Sequence, residues 1–297
     1  MIDTIEILST DLLNQYRPLI DKQKKLARFI GISMGWHYPL DWSWIINHLG
    51  KVEGKRILDA GAGRGVLQWY LAEQGAEVLS VDRDSRACLP LHIRRRYRIH
   101  GLRPGDLLSP LQMVNLFHGF ALYSEKVKGL ARSVLSLTRP RISGRAPGKI
   151  TIYNQDLKNL VDIPSNSIDA IISVSALEHN PPEELPIVVR ELERVLKPSG
   201  AMIVTLAAGR ERDWFHEPSK GWCYTEDTLR KVFGLSPAAR SNYDQYDVLF
   251  KALKECHELQ DQLAAVYQRS NQLGMPGGKW DPQYQPVGII KVKANGF

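Results

Sequence analysis

Residues 56–84, RILDAGAGRGVLQWYLAEQGAEVLSVDRD, read as strand, glycine-rich turn, helix, strand and terminal acid. Ile57 and Leu58 form a short apolar run, followed by Asp59 and by Gly61, Gly63 and Gly65 at alternate positions. Glycine has no Cβ, so such a turn can take positive φ and let a ligand approach the backbone. Val66, Leu67, Tyr70 and Leu71 share one face of a helix over 66–74, which Gly75 stops. Residues 77–81 form a second strand, with Asp82 at its carboxyl end. An acid there, about 20 residues beyond the turn, suits hydrogen bonding to ribose hydroxyls.

Dinucleotide folds favour G-x-G-x-x-G, with the pyrophosphate on the helix N-terminus. Here the spacing is G-x-G-x-G, with Asp59 two residues ahead of it. A carboxylate beside the turn repels a pyrophosphate and accepts hydrogen bonds from an ammonium group. The combination resembles the first motif of class I S-adenosylmethionine-dependent methyltransferases. That resemblance implies Asp59, Gly61, Ala62 and Gly63 around the methionine part of S-adenosylmethionine, Asp82 and Arg83 at the ribose, and S-adenosylhomocysteine as product.

Downstream, 149–157 gives a strand, Ile150 to Tyr153, then Asp156 and Leu157, which the resemblance places beside adenine; Asp156 equally suits a helix N-cap. Ala170 to Val174 is apolar throughout, as befits a strand covered on both faces. Ser175 to His179 then lie at the sheet edge where ligands bind, Ser175 on the cofactor side. A helix follows, with Val188, Leu192, Val195 and Leu196 inward, and AMIVTL is a fifth strand. ELERVLKPSGAMIVT closely resembles the small-molecule branch of the superfamily, which includes ubiquinone-type and natural-product enzymes. The resemblance covers residues 53–206 apart from an insertion. It implies an α/β, Rossmann-like, seven-stranded sheet, mostly parallel, whose last strand, Val287 to Val292, is antiparallel. The sixth strand falls near Val232 to Leu235.

Around that core we expect an N-terminal helical lid over 1–50 and a methyltransferase domain over 51–297. Pro18 kinks or ends a first helix and Asp21 caps the next. Trp36, His37, Tyr38, Trp42 and Trp44 either pack a helix on the sheet edge or close over the ligands, with Trp36, Tyr38 and Trp214 as lid contacts. Residues 85–100 read as a helix, 101–148 as a helical cap, and 247–272 as a long amphipathic helix suited to core packing or a homodimer.

Charge is uneven. The chain carries +7 overall, whereas residues 88–148 hold eleven Lys or Arg against Asp106 and Glu125, a local +9. Simple solvation of a cap, contact with an anionic membrane surface and nucleic-acid binding compete to explain it. The absence of an RNA-binding motif and the scarcity of aromatics interleaved with the cations argue against nucleic acid. Three scattered cysteines predict neither a disulfide framework nor a zinc site and fit a reducing compartment. The N-terminus lacks a basic n-region, so a cytoplasmic protein is expected, with peripheral contact at the inner membrane face through the basic segment.

Methyl transfer is an in-line displacement that chiefly needs positioning, and a hydroxyl acceptor also needs a base. His179 leads, followed by Glu178 and His216, with His37 as a further loop histidine. No Asp-Pro-Pro-Tyr-like motif follows the fourth strand, which argues against amino-group methylation of bases or glutamine. No metal is expected. The reading is an O-methyltransferase for a small-molecule or lipid- or glycan-linked acceptor. The alternatives are an RNA or protein methyltransferase docking through the basic segment, and a non-catalytic scaffold.

Overall fold

The computed structural model describes residues 2–32, 34–113, 144–261 and 280–295. Its centre is a parallel sheet of β2 (Arg56–Ala60), β3 (Glu77–Asp82), β5 (Lys149–Asn154), β6 (Ile168–Val174) and β7 (Leu196–Ala208). Neighbouring residues along each strand supply opposite faces. Ile57, Val78, Ile152 and Ile172 pack into one core, and Leu58, Leu79, Tyr153 and Ile171 into the other. Both faces are therefore covered, and the strands carry apolar runs instead of alternating polarity. β2 pairs with β3 on one side and β6 on the other. The chain order reverses at that point, so a crevice opens beyond the carboxyl ends of β2 and β6.

At one end, β11 (Gln285–Val292) pairs antiparallel with β7, as expected for the last strand. The next position is not taken by residues 232–235. They finish the helix Glu226–Val232 and its turn. It is filled by β1 (Thr4–Ile7), antiparallel to β11 and bordered by the two-residue β10 (Arg240–Ser241). The segment 1–50 is therefore not wholly helical. Ile5 and Ile7 alternate inward and are fully buried. Asp3 anchors the strand by accepting from Val292 N at 2.9 Å, Ser236 N at 3.1 Å and Lys291 Nζ at 3.2 Å. Asn242 caps its outer edge, accepting from Ile7 N at 2.7 Å and donating to Ile7 O at 3.1 Å.

Several further expectations change. A first helix, Leu12–Gln15, does end just ahead of Pro18, which sits in the first turn of the helix Arg17–Ile30, where its missing N–H costs nothing; Asp21 lies inside that second helix instead of capping it. The helix expected over 85–100 shortens to Leu91–Arg96 behind Pro90. Pro90 disfavours a helical residue before it, and β4 (Arg98–Gly101) follows as an edge strand parallel to β5. The Trp214 loop is a hairpin of β8 (Trp214–His216) and β9 (Gly221–Tyr224), attached in parallel to the end of β7. The seven-stranded core thus gains β4, β8, β9 and β10, giving an eleven-stranded sheet. The expected helix 247–272 begins as Tyr246–Lys254 and breaks at 255–256, where Trp280 Nε1 donates to Lys254 O at 2.8 Å. Its remainder from 262, and most of the cap expected over 101–148, lie outside the described residues.

The helix Tyr38–Leu49 lies against the sheet. Trp42 and Trp44 are buried, and Trp44 Nε1 donates to Glu6 Oε2 at 2.9 Å. Trp44 sits flat on Gly288 of β11, where an added Cβ would come within 2.6 Å of the indole. Gly288→Ala is expected to cost about 1–3 kcal/mol by overpacking and lower Tm by roughly 2–5 °C. Thermal denaturation followed by circular dichroism measures it; an unchanged Tm would mean that the indole yields freely.

Candidate active site

The glycine turn hangs from β3. Gly61 N and Ala62 N both donate to Val81 O, at 3.0 and 2.9 Å. Gly61 has φ +72°, and a Cβ there would lie 2.3 Å from Ala176 Cβ, so this turn and the one after β6 touch at a point only glycine permits. Gln68, fully buried, props the loop from behind. Its Nε2 donates to Ala62 O, Gly63 O and Gly65 O at 3.1–3.3 Å, while Ser80 Oγ donates to its Oε1 at 2.7 Å. Arg86, also buried, bonds Ser80 O at 2.8 Å. Neither Gln68 nor Arg86 was legible as part of the site: one is a polar residue on a helix, the other a cation beyond the acidic strand end, and only the fold brings both to Ser80.

Asp82 closes the loop. Its Oδ2 accepts from Gly63 N at 2.7 Å and its Oδ1 from Asp84 N at 2.8 Å. Each oxygen has a second lone pair. A cavity of about 300 Å³ opens here. The glycine turn and Asp59 line it along with Asp82, Arg83, Asp156, Leu157 and Ser175, and so do Tyr38, Trp42, His179 and Asn180. All nine residues expected around the cofactor therefore face one space. Asp59 is buried, and desolvation pushes its pKa up to about 7, with Asp82 adding to the rise and Arg86 opposing it. Asp156 is not a helix cap: no helix follows it, and its Oδ1 accepts from Lys158 N at 2.9 Å in a turn.

The expected catalytic and lid residues separate. His179 lines the cavity, with Nδ1 2.9 Å from Lys220 O. A carbonyl only accepts, so Nδ1 carries a hydrogen, which in the neutral ring leaves Nε2 as the acceptor. Glu178 turns into the core, where Ser175 Oγ donates to its Oε1. Burial raises its pKa, against the pull of His179 and that hydrogen bond. His216 is buried in β8 with Nδ1 2.7 Å from Ser219 Oγ, and burial lowers its pKa. Glu178, His216, Trp36 and Trp214 do not line the cavity; of the expected lid contacts only Tyr38 does. Sequence reading also missed Asp41, whose Oδ2 is 2.6 Å from His37 Nδ1. The signal was the i, i+4 spacing at a helix start. That carboxylate outweighs burial and raises the His37 pKa, with Glu178 adding to the rise. Among the described residues no three His, Cys, Asp or Glu side chains group as a metal site.

Residues 115–204 match a family described as "Methyltransferase domain". The ubiquinone biosynthesis O-methyltransferase of Leptothrix cholodnii is 34% identical over 76 residues, 22% of this chain and 32% of that protein. The tRNA U34 carboxymethyltransferase of Citrifermentans bemidjiense is 26% identical over 113 residues, 33% of this chain and 34% of that protein. The chain thus spans about a third of the length of these curated relatives. A solved phosphoethanolamine N-methyltransferase of Haemonchus contortus aligns with 96% of this chain and 60% of its own at 12% identity, with a TM-score of 0.46. The matched domain, together with a glycine turn and two acids at the strand ends, makes this chain similar to the class I S-adenosylmethionine-dependent methyltransferases.

Proposed function

We propose that this chain transfers a methyl group from S-adenosylmethionine to a hydroxyl of a small-molecule or lipid- or glycan-linked acceptor. The observation that carries the reading is Asp82, fixed by two backbone amides at the mouth of a cavity that also holds Asp59. The donor set fits the cofactor. Asp82 has lone pairs left for ribose hydroxyls, Asp59 suits the ammonium group, and Asp156 with Leu157 suits the adenine side. When bound, S-adenosylmethionine supplies an electrophilic methyl on a sulfonium. The chain's own part is to hold the acceptor in line and to take its proton. His179 Nε2 is the base, and the Lys220 carbonyl steadies the imidazolium through Nδ1–H. The Tyr38 pKa is pushed up to about 12 by burial and by Asp41 and Glu178, so its hydroxyl stays a donor at the cavity wall.

Calorimetry with S-adenosylmethionine, then tritiated methyl transfer to hydroxylated lipids, glycans, 3,4-dihydroxybenzoate and bulk tRNA, tests the reading. Absence of binding by folded protein ends it. Labelling of tRNA alone, with steep salt dependence, would replace the acceptor class. The described cations of the basic segment favour small acceptors because several are already engaged. Arg94 donates to the carbonyls of Leu89, Leu108 and Ala87, Arg96 to Gly144, and Arg98 to Pro147. Arg103 pairs with Asp162. Membrane contact would fall to Lys126, Lys128, Arg132, Arg139 and Arg141, outside the described residues. No helix among the described residues is long and apolar enough to cross a membrane.

Cofactor affinity should depend on pH through Asp59. Its raised pKa means that the free protein holds a proton there below about 7, which contributes stability at low pH that is lost as pH rises through that value. An ammonium ligand needs the ionised form, so binding should strengthen with pH, roughly tenfold from pH 5.5 to 7, with proton release. Calorimetry in buffers of different ionisation enthalpy measures both, and Asp59→Asn should remove the trend. A pH-independent Kd in the wild type would place the ammonium elsewhere.

A further inference from the structure

Behind the Tyr38 end of the cavity lies a polar cluster that the cofactor site does not use. Asp41, Glu178 and His216 are 0%, 3% and 1% exposed. Each holds one polar atom, Oδ1, Oε2 and Nε2 respectively, with no hydrogen-bond partner among the described residues. The three are neighbours. His37, bonded to Asp41, has its ring 6.0 Å from Tyr284, and the Tyr284 ring is 5.1 Å from His216. His216 pairs across the hairpin with Gly221, where a Cβ would touch Glu178 Cγ at 3.1 Å. Trp36 lies 4.8 Å from the His37 ring and Trp214 5.5 Å from the His216 ring.

Buried polar groups in folded proteins are nearly always paired, and each exception calls for an explanation. Three such atoms in one neighbourhood, close to Tyr38 of a cavity of about 300 Å³, are explained if their partners arrive with a ligand. The chemistry restricts that ligand. Two carboxyl groups disfavour an anion. A cation is disfavoured because the His37 ring already sits against Asp41, a contact that raises the His37 pKa against the effect of burial. Three separate atoms need several donors, more than a single hydroxyl offers. The rings of Trp36, Trp214 and Tyr284 provide apolar walls.

We infer that this cluster is an acceptor subsite for a neutral polyhydroxylated ring, a sugar or cyclitol, whose hydroxyls donate to Asp41 Oδ1 and Glu178 Oε2. The role as acceptor rests on the methyltransferase reading above. The ring enters past Tyr38, with its reacting hydroxyl in the cavity near His179 and its remaining hydroxyls in the cluster. Glu178 and His216, which sequence reading offered as bases, then serve recognition.

The test uses the full chain, wild type, Glu178→Gln and His216→Phe. Calorimetry with S-adenosylhomocysteine alone should give the same affinity within about threefold in all three, since neither residue lines the cofactor cavity. In its presence, myo-inositol or methyl α-glucoside should bind the wild type and bind each variant at least ~10-fold more weakly. Phosphatidylinositol in detergent, compared with free inositol, separates a lipid-linked ring from a free one. Without any ligand, His216→Phe should raise Tm by ~2 °C or more, because a binding group is carried at the expense of stability, and Glu178→Gln should not lower it. Three results overturn the inference: a lower Tm in both variants, which would make the groups structural; binding of 3,4-dihydroxybenzoate but of no polyol; or no polyol binding by a wild type that binds S-adenosylhomocysteine. Failure of S-adenosylhomocysteine itself to bind would instead refute the methyltransferase reading.

Discussion

Asp82→Ala should bind S-adenosylmethionine at least ~100-fold more weakly than the wild type while remaining folded. Two effects combine. A hydrogen bond to a charged acceptor is worth about 1.5–3 kcal/mol, and a ribose brings two hydroxyls to this carboxylate. The substitution also strips Gly63 N and Asp84 N of their acceptors, so the loop loses its fixed shape. Asp82 is at the surface end of β3, not in the core, so Tm should fall by only a few degrees. Asp82→Asn, which keeps a side-chain carbonyl for one of the two amides, should fall between the two. Calorimetry on all three proteins decides it. Asp82→Ala binding within tenfold of wild type would show that the ribose does not sit there.

Gly61→Ala should damage both stability and binding. At φ +72° an alanine costs about 1–2 kcal/mol from the left-handed backbone alone. Its Cβ would also lie 2.3 Å from Ala176 Cβ, so the turns after β2 and β6 must separate, adding about 1–3 kcal/mol of overpacking. A Tm lower by roughly 3–8 °C follows, and the cavity wall between Asp59 and Ser175 shifts with it. Gly63 is the internal comparison. It too has positive φ, but the nearest atom to its added Cβ is Asp82 Oδ2 at 3.7 Å, so Gly63→Ala should show the backbone cost alone. Equal losses of Tm in the two variants would show that contact with Ala176 is not what demands glycine at position 61.

Much of the cofactor side was legible in the sequence because it is local. A strand, a glycine turn and a helix must follow one another within about thirty residues, and short-range sterics decide where φ turns positive. The acids at the strand ends are placed by the same strand periodicity, and the apolar runs of β2, β3, β5, β6 and β7 already implied a sheet covered on both faces. From these residues the α/β class, the parallel centre, the antiparallel last strand and nine residues that line the cavity could all be read.

What could not be read depends on contacts between distant parts of the chain. Four residues at the N-terminus carry too weak a pattern to be recognised as a strand. Their place beside β11 depends on Asp3 meeting Val292 and Ser236, and on Asn242 capping Ile7. The candidate bases show the same division. His179, Glu178, His216 and His37 look alike in sequence, as polar residues near loops. Burial, a carbonyl at Nδ1 or a carboxylate at Nδ1 then gives each a different chemistry. Sequence periodicity thus settled the five central parallel strands and which residues of the glycine turn and strand ends line the cavity, because those depend on neighbours along the chain. Tertiary packing decided which histidine faces the cavity and which polar groups are buried without partners, because desolvation and long-range hydrogen bonds exist only once the sheet has closed.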